Sequence, residues 1–122
     1  MGMYTDYALK FSIKRESHDF DLIMSVMDHM MRSSEVSIQT PDHPLFETLR
    51  WDMMARSGRS FKIEADNIRG VGFVLIGDFK NYDDEIGKFI DWITPYLCDN
   101  LTGYSHYEGA LFSTPYFVEA LI

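Results

Sequence analysis

Residues 71–97, VGFVLIGDFKNYDDEIGKFIDWITPYL, read as a strand followed by a helix, and that pair sets the fold class of the chain. Val71 to Lys80 is apolar at both alternating sets of positions, the pattern of a central strand covered on both faces. Gly72 and Gly77 inside the run mark close packing or a bulge. From Asn81 the apolar period changes, and Tyr82, Ile86, Phe89, Ile90 and Ile93 fall on one helical stripe. Asn81 is placed to cap this helix. Asp83, Asp84 and Glu85 crowd its positive end, where carboxylates are stabilised by the helix dipole. Thr94-Pro95 ends it, because the residue before proline avoids helical geometry.

Upstream, residues 4–14 alternate between Tyr7, Leu9, Phe11, Ile13 and Ala8, Lys10, Ser12, Lys14, which predicts a strand with one face buried and one in water. Ser17 then precedes Phe20, Ile23, Met24, Met27 and Met31 at helical spacing and is the expected N-cap. Residues 33–47 hold Pro41 and Pro44 among small polar residues and read as a loop, pinned by Leu45 and Phe46 in the core. Leu49, Trp51 and Met53 alternate with Arg50 and Asp52, which suggests a strand; a short helix over 48–56 is the rival. Ser57-Gly58-Arg59 is a turn signal, and Phe61, Ile63 and Ala65 alternate again before a turn at Asp66-Asn67 with Gly70. Downstream of residue 97, Asp99-Asn100 with Gly103 reads as a turn, and residues 104–108 and 116–122 as two closing strands. The order is β-α-β-β-β-α-β-β, two halves of like pattern. Because each helix has a single apolar stripe, the expected architecture is α+β: an antiparallel sheet with both helices on one face, a ferredoxin-like variant.

The 122 residues fit a single domain, 1–122, and 46% hydrophobic content is enough to fill its core without disulfides or metal. The net charge of −8 opposes non-specific attraction to nucleic acid or to anionic membrane and suits a protein partner or plain solubility. No run approaches the roughly 18–20 apolar residues needed to cross a bilayer. The first residues lack the basic and apolar segments of a signal peptide, and Cys98 is the single cysteine, so a cytoplasmic location is expected. Cys98 itself reads as a small buried residue.

Chemistry-bearing motifs are sparse. His18, His29, His43 and His106 are scattered without HExxH, CxxC or HxH spacing, and no metal is expected. The Asp83-Asp84-Glu85 cluster has a sufficient reason in helix capping. Phosphate loops are missing, since Gly70-Val71-Gly72 lacks the third glycine and enters a strand. No catalytic residue or cofactor is expected. Asp42-His43 lies in a proline-framed loop, with Asp42 read as turn-forming. Residues 50–62 are locally basic, with Arg50, Arg56, Arg59 and Lys62 interleaved with Trp51 and Phe61, a mixture that stacks bases or covers buried aromatics. Leu111 and Phe112, in the segment Gly109 to Pro115, form a candidate contact loop within an aromatic-rich C-terminal region. The candidate interaction residues are Asp42, His43, Arg50, Trp51, Arg56, Arg59, Leu111 and Phe112.

Several of these residues also carry a resemblance: Met3-Tyr4-Thr5, Pro41-Asp42-His43-Pro44-Leu45-Phe46, Arg50-Trp51, Lys80-Asn81-Tyr82-Asp83 with Glu85-Ile86, Phe89, Trp92-Ile93, Pro95-Tyr96, and Gly103-Tyr104 with Tyr107-Glu108. In this pattern the chain resembles a group of short uncharacterised proteins of bacterial genomes, phages and mobile elements. The resemblance implies a shared fold and a mobile-element origin, and it transfers no catalytic residue. The chain departs from the pattern after Glu108, where Gly109-Ala110-Leu111-Phe112 stands in place of an acidic run, so a role for that acidic end does not carry over. The expected function is that of a small acidic non-enzymatic protein that binds and modulates a host protein; a homodimer is a further option. The alternatives are a ligand binder or enzyme with a pocket between sheet and helices near His43, Trp51 and His106, and a nucleic-acid binder through residues 50–62.

Overall fold

The structure is a computed structural model and describes residues 4–32, 38–56, 59–67, 70–107 and 116–120. Strands β1 (Thr5–Lys14), β2 (Phe61–Asn67), β3 (Gly70–Phe79), β4 (Leu101–Tyr107) and β5 (Tyr116–Ala120) form one antiparallel sheet in the order β2-β3-β1-β4-β5. Helices α1 (Phe20–Arg32) and α2 (Glu85–Ile93) follow β1 and β3. The run from β1 to β4 has the order and pairing of a ferredoxin-like α+β sheet, and β5 extends it beside β4.

Antiparallel register assigns each row to a face. Tyr7 opposite Gly77, Leu9 opposite Leu75, Phe11 opposite Phe73 and Ile13 opposite Val71 share one face, and all of these residues are buried. Both helices cover that face. Ile23, Val26, Met27 and Met30 of α1, with Ile86, Phe89, Trp92 and Ile93 of α2, join the same core. Phe11 sits at its centre, stacked on Phe73 at 5.7 Å and tilted against Phe89 at 5.6 Å. The buried stripe of α1 is rotated relative to the expected one: Met24 and Met31 are only half-buried, while Val26 and Met30 face the core.

Three expectations are corrected. Residues 48–56 form no strand. A short 3-10 turn at Trp51–Met53 stands there, following another at Pro44–Glu47, so the described sheet has five strands and the first half of the repeat is one strand short. The apolar alternation misled because Leu49 is 83% exposed and Met53 is 45% exposed, while the neighbouring Met54 and Ala55 are buried. Second, Gly103 lies within β4 and not in a turn. A Cβ there would run into the carbonyl oxygen of Ala8, so glycine permits β4 to approach β1. Third, among the described residues helices lie on one face of β3 only; on the other face Val74 and Ile76 are half-exposed. Its pairing with β1 is regular from Gly70 to Phe79, whereas its pairing with β2 shifts register between Ile63, opposite Gly72, and Asn67, opposite Gly70.

Capping explains the acidic cluster at α2. The Asp84 side chain accepts from Gly87 N, Asn81 Oδ1 accepts from Ile86 N at 3.1 Å, and Glu85 Oε1 accepts from Asp83 N at 3.0 Å. Asp84 takes a left-handed conformation (φ 54°) that aspartate tolerates better than most residues. Ser17 acts one step earlier than expected: its Oγ accepts from Asp19 N and its carbonyl from Phe20 N, closing a turn ahead of α1. Cys98 is buried, with its Sγ 3.6 Å from the Ser12 carbonyl oxygen.

Candidate functional site

The segment between α1 and β2 is held to the domain by packing. His43 begins the first 3-10 turn, where its Nδ1 accepts from Leu45 N at 3.0 Å. With Nδ1 accepting, the other ring nitrogen carries the proton, and Nε2 donates to Asp91 Oδ2 of α2 at 2.8 Å. Leu45 is fully buried. Phe46 packs edge-on against Trp92 at 5.0 Å and Trp51 at 4.9 Å, and Trp51 also lies 5.6 Å from the His29 ring. The Tyr7 hydroxyl, beneath the sheet's covered face, donates to the Met54 carbonyl. Burial first, and then the charge of Asp78, push the Tyr7 hydroxyl well above the ordinary tyrosine range. At the other end of α2, the exposed Tyr96 hydroxyl is 3.5 Å from Asp19 Oδ2 and is raised by partial burial, then by the Asp19 charge, then by that bond.

This anchoring sets a cleft at the end of the sheet where β1 begins and β3 finishes. Tyr4, Arg50, Met53, Met54, Arg56, Asp78 and Lys80 line a volume of about 570 Å³. The antiparallel register that pairs Thr5 with Phe79 carries Tyr4 next to Lys80, and the Lys80 ammonium lies 5.8 Å from the centre of the Tyr4 ring. The Arg50 guanidinium lies over the Tyr82 ring at 4.9 Å, and Arg56 Nη2 is 3.6 Å from Asp52 Oδ2. Three cations therefore meet one lining carboxylate in a chain with a net charge of −8. A second groove of about 510 Å³ runs between α1 and β2, where Lys62 and Arg32 face Asp21 and Asp28 over Phe73, Met24 and Met31; its charges balance.

The second feature is the uncovered sheet face. Ile76, Ala8 and Tyr104 form one row across β3, β1 and β4, and Phe61, Val74, Lys10 and Thr102 form the next, beginning on β2. Phe61 is 49% exposed, Tyr104 is 36% exposed, and Ala8, Val74 and Ile76 are half-buried. Asp78, Asp6 and His106 make the polar row at its end.

The candidate residues separate accordingly. Arg50 and Arg56 meet at the cleft. Arg59 is exposed at the start of β2 and does not line it. Trp51 is turned into the aromatic packing and is no stacking platform. His43 is tied to Asp91 and to the backbone, while Asp42 is exposed beside it. Leu111 and Phe112 lie outside the described residues. The expected pocket near His43, Trp51 and His106 is not assembled: His106 pairs with Asp6 on the uncovered face, opposite the helix layer that holds the other two. Sequence reading missed Tyr4 and Lys80, which sit at the ends of two distant strands and become neighbours only through the register of β1 on β3.

Among the described residues no three His, Cys, Asp or Glu side chains gather where they could share a metal ion. None of the described helices is long and apolar enough to cross a membrane. No protein-family model, no curated protein and no solved structure matches the chain.

Proposed function

We propose that this chain is a non-enzymatic protein-binding domain that modulates its partner by docking through the uncovered face of the sheet. The observation that carries the reading is the two-row strip of Phe61, Val74, Ile76, Ala8 and Tyr104, presented by four adjacent strands on a face that no helix among the described residues covers. Apolar surface flanked by the polar row of Asp6 and Asp78, with Lys10 and Thr102 completing the second row, is the composition of a protein-interaction patch. A rigid sheet presents it at little ordering cost. The resemblance to bacterial, phage and mobile-element proteins supports a host protein as the partner, and the net charge of −8 favours one with a basic surface.

The test is affinity capture from bacterial lysate with the wild-type chain and with Phe61→Glu and Ile76→Glu as bait. A partner retained by the wild type and lost from both variants, each still folded by circular dichroism, supports the reading. Recovery of nothing specific at micromolar bait refutes it, as does a partner retained equally by both variants. Sedimentation of the chain alone reads the homodimer: a dimer that Ile76→Glu dissociates would assign the face to a second copy and overturn the host-protein reading.

A further inference from the structure

We propose that the cleft between Tyr4, Arg50, Arg56 and Lys80 binds a small organic phosphate of the mononucleotide class. This goes beyond the protein-docking face, which lies along the sheet and uses other residues. The cleft's volume of about 570 Å³ falls in the range of small-ligand sites, roughly 300–1,000 Å³. Its charge is the unusual part. The chain has 11 basic against 19 acidic side chains, yet Arg50, Arg56 and Lys80 converge here with Asp78 as the one lining carboxylate and Asp52 beside Arg56. Among the described residues, neither Arg50 nor Lys80 has a carboxylate within salt-bridge distance, and Arg56 reaches Asp52 only at 3.6 Å. The two former cations are instead placed over tyrosine rings, at 4.9 Å and 5.8 Å, which fixes their direction without neutralising them.

Two guanidiniums and one ammonium suit a phosphate dianion, because arginine forks grip phosphate oxygens in pairs and lysine adds a point charge. The remaining lining is apolar or aromatic: Met53, Met54 and the Tyr4 ring. The exposed Met53 side chain and the Tyr4 ring offer a planar group an apolar surface beside the charged end, with the buried Met54 behind them. A bare inorganic ion would leave that wall unused, and so the ligand class is a phosphate carrying a flat organic group.

The floor is held from below by the Tyr7 hydroxyl on the Met54 carbonyl, so the arginine-bearing segment is positioned before any ligand arrives. Isothermal titration of the full chain with AMP, ADP and inorganic phosphate tests the proposal, and Arg50→Ala, Lys80→Ala and the exposed control Lys14→Gln are titrated beside it. AMP or ADP should bind more tightly than phosphate, weaken as salt rises, and lose about ten- to a hundredfold in affinity in Arg50→Ala and Lys80→Ala, with Lys14→Gln unchanged. Both variants shorten half-buried side chains that line the cleft, and unchanged thermal unfolding verifies that they are folded. No heat with either nucleotide at millimolar concentration overturns the proposal. Equal affinity for phosphate and nucleotide, equal losses in Lys14→Gln, or binding of a single-stranded oligonucleotide in preference to AMP would each overturn it as well.

Discussion

Replacing Tyr7 by Phe tests how the segment before β2 is fastened to the sheet. The Tyr7 ring is fully buried in the β1 row of the core and its hydroxyl donates to the Met54 carbonyl, itself on a buried residue. Tyr7→Phe keeps the ring and removes the hydroxyl, leaving a buried acceptor on Met54 without this donor, which costs about 1–2 kcal/mol. For a domain of this size that is a fall in Tm of about 4–8 °C. The same hydroxyl gives the effect a pH signature. Its pKa in the folded protein is raised above that of the unfolded chain, so above about pH 10 the unfolded chain releases a proton that the folded protein retains. The wild type then loses about 1.4 kcal/mol for each further pH unit, a loss that Tyr7→Phe does not share. The raised Tyr96 is present in both proteins and cancels from the difference. Urea unfolding at a series of pH values should therefore show the wild type ahead at about pH 8 and the gap closing near about pH 11. A gap that stays constant to pH 11, or none at pH 8, would refute the reasoning that this hydroxyl is a buried neutral donor.

Gly103→Ala should cost about 1–3 kcal/mol, read as a shift in urea midpoint, because the added carbon meets the Ala8 backbone of β1 and not a movable side chain. Asp84→Ala should cost about 1–2 kcal/mol by losing the cap on Gly87 N, while Asp84→Asn keeps both the cap and the left-handed conformation and should cost under about 0.5 kcal/mol; equal losses in calorimetry would show that charge and not capping is at work. Leu49→Asp should change stability by less than about 0.5 kcal/mol, since the side chain is exposed, whereas a Leu49 in a strand row would unfold the domain on gaining a charge.

The strand–helix pair at 71–97 was readable because both of its signals are local: period two in a β-rich run, then a stripe at helical spacing with caps. The alternation over residues 4–14 was equally plain, and its buried and exposed sets match the observed rows residue by residue. Residues 48–56 were not readable from periodicity. Leu49 and Trp51 look alike as apolar letters, yet one projects into solvent and the other enters an aromatic cluster with Phe46 and His29. Nothing local distinguishes them, because the cluster is supplied by a distant helix and loop. The cleft was half readable: Arg50 and Arg56 stood out as a charge reversal, but Tyr4 and Lys80 join them through pairing between strands far apart in sequence. The coverage of β3 could not be read at all from its own residues, since an apolar outer row is the same whether a helix, a partner or water faces it.

β1 has a consequence for when the domain can form. It precedes the other described strands in the chain, and it sits between β3 and β4, pairing Thr5 with Phe79 on one side and with Tyr107 on the other. The second pairing spans 107 − 5 = 102 positions, so both of its ladders close over long stretches of chain. During synthesis β1 waits, with Tyr7, Leu9, Phe11 and Ile13 unsheltered, until β3 has emerged, and its other side stays open until β4 follows. Topologies of this kind fold more slowly than helical ones of equal length and expose sticky surface for longer. Shortening the chain within β4 would leave β1 as a bare edge, and such truncated products should be recovered in aggregates or in the hands of chaperones.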